Sequence, residues 1–324
     1  MPGLQQQLEQ RFSRNLRAWP RGVVKDVVAY LGKSRKAGVD REDRAERFWS
    51  LFPRWLLDDP RFAPARGDRR RLLNDILWAQ YCLFLFVRMH DDLFDGQAQS
   101  PSLLFVADQL LIECETTLAR HFPDMPFWRL FRNSLNTTLQ GILKVDALQQ
   151  RPGAMNRRSL TLYADVSAIF KVGAGAVCVG SSRLREFTQL SRFADEIAIA
   201  EQILDDLFDV DEDLARARYN FAANDLLAGD AAKVDGRAER LARKVLFGDG
   251  VGSLLDTVRE HLDRADAAIA PLHLAPAVAY VDSFRRGVGE FGRQVHYARV
   301  AHVFQGMTGD VRLGACATSS AAAP

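Results

Sequence analysis

Residues 153 to 270 contain no proline, and Leu, Ala and Arg outnumber Val, Ile and Thr among them, so the whole stretch favours helix over strand. Glycine supplies the breaks instead. Elsewhere apolar residues again recur at helical spacing: Val23, Val24, Val27, Val28 and Leu31 are closed by Gly32, Leu103 to Leu118 follow Pro101, and Phe127 to Leu148 follow Pro126. No segment alternates convincingly at period two. The pattern predicts about ten helices, near residues 22–31, 42–57, 70–95, 102–121, 127–150, 157–180, 184–214, 235–247, 253–269 and 276–305. No Ser/Pro/Gly linker divides them, so the expected architecture is one all-α domain over residues 1–316 with a disordered tail at 317–324.

Composition narrows the function classes by exclusion. A hydrophobic share of 48% is ordinary for a globular chain. The 43 Lys and Arg against 41 Asp and Glu leave a formal charge of +2, too balanced to advertise nucleic acid or an anionic membrane as partner. Cys82, Cys114, Cys178 and Cys316 form no CxxC pair, which argues against a zinc knuckle or a disulfide scaffold and fits a reducing compartment. The longest nearly unbroken apolar run, Ile76 to Val87, has 12 residues, short of the roughly 20 that cross a bilayer. The N-terminus shows no signal-peptide pattern. A soluble cytoplasmic protein without an integral membrane segment is expected.

The pentapeptide DDLFD occurs twice, at Asp91–Asp95 and Asp205–Asp209, each time after an apolar helical run. Helix C-termini are already negative and disfavour carboxylates. Such a cluster needs solvent, basic side chains or metal ions. Asp91 and Asp95 share a helix face, and Asp205, Asp209 and Asp213 form a stripe at i, i+4 and i+8. Like charges so placed raise one another's pKa unless a cation intervenes, and hard oxygen ligands select Mg²⁺, which shares its shell with water and phosphate oxygens. A calcium EF-hand is excluded, because counting from Asp91 puts Leu93 at position 3, and counting from Asp209 puts Leu214 where the loop needs Gly.

The string Met89-His90-Asp91-Asp92-Leu93-Phe94-Asp95 resembles the first aspartate-rich motif of the trans-prenyl diphosphate synthases. Gln202-Ile203-Leu204-Asp205-Asp206-Leu207-Phe208-Asp209 resembles their second motif, and Phe170-Lys171-Val172-Gly173-Ala174 resembles their diphosphate-contacting lysine segment. The likeness spans about residues 75–220 and points to the class I isoprenoid synthase superfamily. It implies an all-α bundle with a central active-site cavity, where two facing helices hold three Mg²⁺ ions around a prenyl diphosphate. The implied metal ligands are Asp91, Asp92, Asp95, Asp205, Asp206, Asp209 and Asp213; Asp91, Asp95, Asp205 and Asp209 would be essential to turnover. A homodimer is compatible with the resemblance.

Departures from the family bear on the reaction. The chain has only Gly32-Lys33-Ser34-Arg35-Lys36 near its N-terminus, and no basic residue in the GQAQSPS that follows Asp95, where elongating members carry an arginine pair for isopentenyl diphosphate. The Asp205, Asp209, Asp213 spacing also matches the second metal triad of terpene cyclases. Asp211-Glu212-Asp213 with Arg216-Ala217-Arg218-Tyr219 faintly resembles the squalene and phytoene synthases.

Ionising an allylic diphosphate requires neutralising its leaving group and shielding the carbocation from water. Lys171, Gln202, Arg157, Arg158, Arg218 and Arg293 are the candidates for substrate contact, with Arg88 a candidate helical ion pair. Leu83, Phe84 and Val87 fall on the face of Asp91, and Phe86 is placed to floor the pocket. The favoured expectation is ionisation of a single prenyl diphosphate in the manner of a terpene synthase. The alternatives are chain elongation with isopentenyl diphosphate, a squalene-type condensation, or a non-catalytic helical binding protein.

Overall fold

Trp78, Tyr163, Phe52, Phe127, Phe131 and Phe193 are almost completely buried, and each such side chain contributes about 1.5–3 kcal/mol by leaving water. They lie where helices cross. The computed structural model describes residues 4–16, 19–36, 48–65, 67–94, 96, 100–227 and 250–308. The expected helix at 235–247, Asp95, Cys316 and the tail lie outside the described residues.

Thirteen α-helices are present among the described residues: α1 Leu4–Leu16, α2 Arg21–Lys36, α3 Phe48–Asp58, α4 Arg69–Phe94, α5 Ser102–Ala119, α6 Met125–Gln149, α7 Thr161–Val166, α8 Val172–Gly180, α9 Phe187–Phe208, α10 Val210–Ala215, α11 Phe221–Leu226, α12 Gly250–Ile269 and α13 Ala275–Thr308. No strand occurs among them. Long α4 packs along α5 and long α9 along α12, while α6 and α7 close one side of the space between them. One continuous set of buried apolar residues runs from Leu8 to Val288. By length and composition α4 would pass as a membrane span, but most of its apolar stretch is buried within the protein, as befits a core helix.

Two segments expected to be single helices are broken, and both breaks help to shape the site. The 157–180 stretch is a short 3-10 turn at Arg157–Ser159, then α7, a second 3-10 turn at Ala168–Lys171, and α8, with a bend of 54° between its halves. Gly141 on α6 allows the close approach there: a Cβ on it would stand 2.7 Å from the Val166 amide nitrogen. Gly173 does the same for α8 against Pro53 and Gln80. The 184–214 stretch divides at Asp209, whose backbone (φ −97, ψ 5) ends α9. The amide of Asp213 nevertheless bonds the Asp209 carbonyl at 2.9 Å, so the turn continues across the division.

Candidate active site

The C-terminal ends of α4 and α9 line one cavity of about 630 Å³, completed by residues of α2, α6, α7 and α10. Asp91 and Asp92 enter it from α4, and Asp205, Asp206, Asp209 and Asp213 from the α9–α10 side. Within each pair the two carboxylates differ. Asp91 and Asp205 are exposed. Asp92 and Asp206 are 7% and 3% exposed, and both are tied into protein hydrogen bonds.

Asp92 accepts from the Tyr30 hydroxyl at 2.6 Å and from Arg88 Nε at 3.2 and 3.4 Å. Asp206 has no cation partner among the described residues. It accepts from the Tyr163 hydroxyl, the Phe221 amide at 2.9 Å and Gln202 Nε2 at 3.2 Å. Burial pushes its carboxyl up to about 7, against the pull of these three donors. Burial likewise raises Tyr163 and Tyr30, and in both cases the adjoining carboxylate adds to the rise.

Asp209 is exposed and Asp213 half-buried. Burial raises the Asp213 carboxyl; a hydrogen bond from Asn220 at 2.7 Å opposes this and the charge of Asp209 adds to it. Asn220 also bonds the Asp206 carbonyl at 2.9 Å and caps α11 through Ala223, so one amide ties both halves of the second motif to the next helix. Glu212 lines the cavity too, paired with Arg216. Arg218 also lines it and reaches Asp146 of α6 at 2.9 Å.

The remaining candidates separate cleanly. Gln202, Phe84, Val87 and Arg88 line the acidic cavity. Leu83 is fully buried and Phe86 is 8% exposed in the core, its ring against His90 rather than at the cavity floor. Arg157 is exposed and bonds Thr257 and Glu260, Arg158 is exposed without lining the cavity, and Arg293 pairs with Glu290. Lys171 faces a second cavity, of about 480 Å³, where it pairs with Asp195 at 2.6 Å.

Sequence reasoning missed Tyr30, Tyr163, Asn220 and Asp146. Only the tertiary fold brings them to the motifs. Among the described residues no three His, Cys, Asp or Glu side chains converge tightly enough to grip an ion by themselves. The donor set still fits Mg²⁺, which takes only one or two protein carboxylates and fills its shell with water and phosphate oxygens.

No family model matches the sequence, and no curated protein matches it. Solved structures do. A geranylgeranyl pyrophosphate synthetase from the archaeon Geoglobus acetivorans superposes with a TM-score of 0.66 at 15% identity, covering 88% of this chain and 97% of that one. A geranylgeranyl pyrophosphate synthase from Lactobacillus brevis gives 0.66 at 16% identity over 88% and 94%, and a decaprenyl diphosphate synthase from Rhodobacter capsulatus 0.64 at 14% over 88% and 98%. The protein thus shares its all-α fold with these geranylgeranyl and decaprenyl diphosphate synthases.

Proposed function

We propose that the protein is a Mg²⁺-dependent class I isoprenoid synthase that ionises an allylic prenyl diphosphate and transfers its prenyl group. The observation that carries this reading is the facing pair of acidic helix ends, each presenting its first aspartate to a common cavity while burying its second. Bound Mg²⁺ would neutralise the charge that accumulates on the departing diphosphate. Asp91, Asp205, Asp209 and Asp213 would hold the ions, together with Asp95, with Asp92 and Asp206 as inner supports. Arg216 and Arg218 stand on the same cavity, each held by a carboxylate, and would add cationic contacts to the diphosphate. Phe84, Val87, Ile142, Val145 and Val166 give the cavity an apolar wall that keeps water from the cation.

From the sequence, cyclisation of one prenyl diphosphate is the favoured reaction. Two features support transfer instead. The solved structures of like fold are prenyl diphosphate synthases, and a second cavity of ligand size adjoins the first, sharing Phe84, Ser167, Phe170, Gln202 and Asp205. We read the enzyme as cytoplasmic, in keeping with its buried thiols Cys82, Cys114 and Cys178.

The test is diphosphate release from geranyl, farnesyl and geranylgeranyl diphosphate, each alone and with isopentenyl diphosphate or an uncharged acceptor such as 2-naphthol, with Mg²⁺ or with EDTA, followed by product analysis. Release that requires Mg²⁺ supports the reading. No release from any substrate sinks it in favour of a binding protein, and a cyclic hydrocarbon made from one substrate alone restores cyclisation.

A further inference from the structure

The second cavity differs in chemistry from the first. Its walls carry seven rings: Phe48 and Trp49 of α3, Phe84 of α4, Phe170 of the 3-10 turn, Phe208 of α9, and Tyr280 and Phe284 of α13. Trp49 stacks on Phe84 with centroids 5.6 Å apart and on Phe170 at 6.5 Å, so the rings form a continuous aromatic surface at the threshold shared with the acidic cavity. Its charged side chains are Lys171, Asp195, Glu201 and Asp205. Lys171 is held by Asp195, and Glu201 accepts from the Tyr280 hydroxyl at 2.9 Å.

With Asp205 given to a metal ion, Lys171, Asp195 and Glu201 still leave the described lining net negative, and the π faces of its rings are negative as well. Among the described residues the buried indole N–H of Trp49 has no hydrogen-bond partner. After the first acidic motif, Ser100 and Ser102 donate to Asp26 at 2.8 and 2.6 Å, so the start of α5 is anchored on a carboxylate.

A diphosphate placed in the second cavity would meet carboxylates and ring faces, with its one described ammonium already neutralised. An uncharged, electron-rich arene meets the opposite situation: rings on which to stack, apolar surface to bury, and an allylic cation forming at the shared threshold. We propose that the second cavity is the acceptor site and takes an uncharged arene of the phenol or indole class rather than a second diphosphate. The proposal rests on the prenyl-transfer reading above.

The step balances without a further reagent. The allylic C1–O bond breaks and its electron pair leaves with diphosphate. A π pair of the arene forms the new C–C bond to C1. The arene then loses the displaced ring proton to the departed diphosphate and regains its aromaticity.

Binding can be read apart from turnover by titrating 2-naphthol and isopentenyl diphosphate into the full-length protein in EDTA and following each calorimetrically. The expected result is saturable naphthol binding that isopentenyl diphosphate does not displace. It should weaken about tenfold or more in Ala198→Phe, which fills the cavity from α9, and in the milder Phe284→Leu; each variant's melting curve establishes that it is folded. With Mg²⁺ and farnesyl diphosphate, farnesylated naphthol should form. Isopentenyl diphosphate that binds and displaces naphthol would overturn the proposal, as would geranylgeranyl diphosphate made from farnesyl and isopentenyl diphosphates. Either result would leave prenyl transfer intact. Absence of any Mg²⁺-dependent diphosphate release would count against prenyl transfer itself, while the EDTA titration would still decide what the cavity binds.

Discussion

The two acidic helix ends share the sequence Asp-Asp-Leu-Phe and the same alternation of exposure, yet their electrostatic surroundings differ. In both, the first aspartate is exposed, the second buried and the phenylalanine exposed, at 54% for Phe94 and 57% for Phe208. On α4 the buried Asp92 has a guanidinium one turn away on its own helix. On α9 the corresponding place, four residues before Asp206, is Gln202, which can offer a hydrogen bond but no charge. The repeat thus fixes which carboxylate turns inward, while the residue one turn earlier decides whether the buried one has a cation or only an uncharged donor beside it.

The largest effect should separate the first aspartates from the second. Asp91→Ala and Asp205→Ala each remove an exposed carboxylate, and should lower prenyl turnover by about 10³-fold while scarcely moving the melting temperature. Asp92→Ala and Asp206→Ala strip the partner from buried donors, and should cost about 2–4 kcal/mol of stability as well. Parallel turnover assays and thermal melts decide this. If Asp91→Ala unfolds the protein while Asp92→Ala leaves it intact, the division of labour is wrong.

Next comes a pH effect that should belong to the second motif. The folded Asp206 carboxyl sits near 7, above its ordinary 3.8, so the folded chain holds a proton that the unfolded chain has released. Stability from this group is fully present below pH 4 and is lost as pH rises towards 7. Asp206→Asn keeps a neutral group in place and escapes the loss. In EDTA its stability relative to the parent should therefore improve between pH 4 and 7 and then level off, by a total on the order of 4 kcal/mol. A stability relative to the parent that stays flat or falls over that range would refute the assignment.

Arg88→Met tests whether the neighbouring cation makes the difference. Without it the Tyr30 hydroxyl is the described side-chain donor left to Asp92, and the variant should lose about 2 kcal/mol at neutral pH. Thermal melts of Arg88→Met at neutral pH that match those of the parent would show that Arg88 is not what supports the buried Asp92.

Much of this site was legible because it is local. Helical spacing placed α4, α5, α6 and α9, and the doubled pentapeptide marked the two helix ends that meet on one cavity. What was not legible depended on distant partners. Tyr30 lies 62 positions before Asp92 and Tyr163 lies 43 before Asp206, and neither sits in a pattern that distinguishes it from a core tyrosine. Lys171 was associated with the diphosphate by likeness to a family segment, whereas in the fold it pairs with Asp195 on the second cavity. Counting from Asp205 to Asp213 anticipated that both would line one cavity. It did not anticipate the break at Asp209, which the helical hydrogen bonding bridges.

The smallest predicted effect is the sharpest test of the comparison, because the two substitutions are chemically the same. Tyr30→Phe removes one donor from Asp92, whose charge Arg88 still balances, and should cost about 0.5–1 kcal/mol at any pH where the pair is ionised. Tyr163→Phe removes a donor from a carboxylate that no cation among the described residues pairs with, leaving Gln202 and the Phe221 amide. Its cost should depend on the charge of Asp206: small at pH 5, where the carboxyl is protonated, and about 1 kcal/mol larger at pH 8, where the anion needs every donor it has. Thermal melts of the two variants at both pH values give four numbers, and the prediction is that only one of them stands apart. If Tyr163→Phe costs the same at pH 5 and pH 8, then Asp206 does not change its charge between them, and the two motifs are electrostatically alike after all.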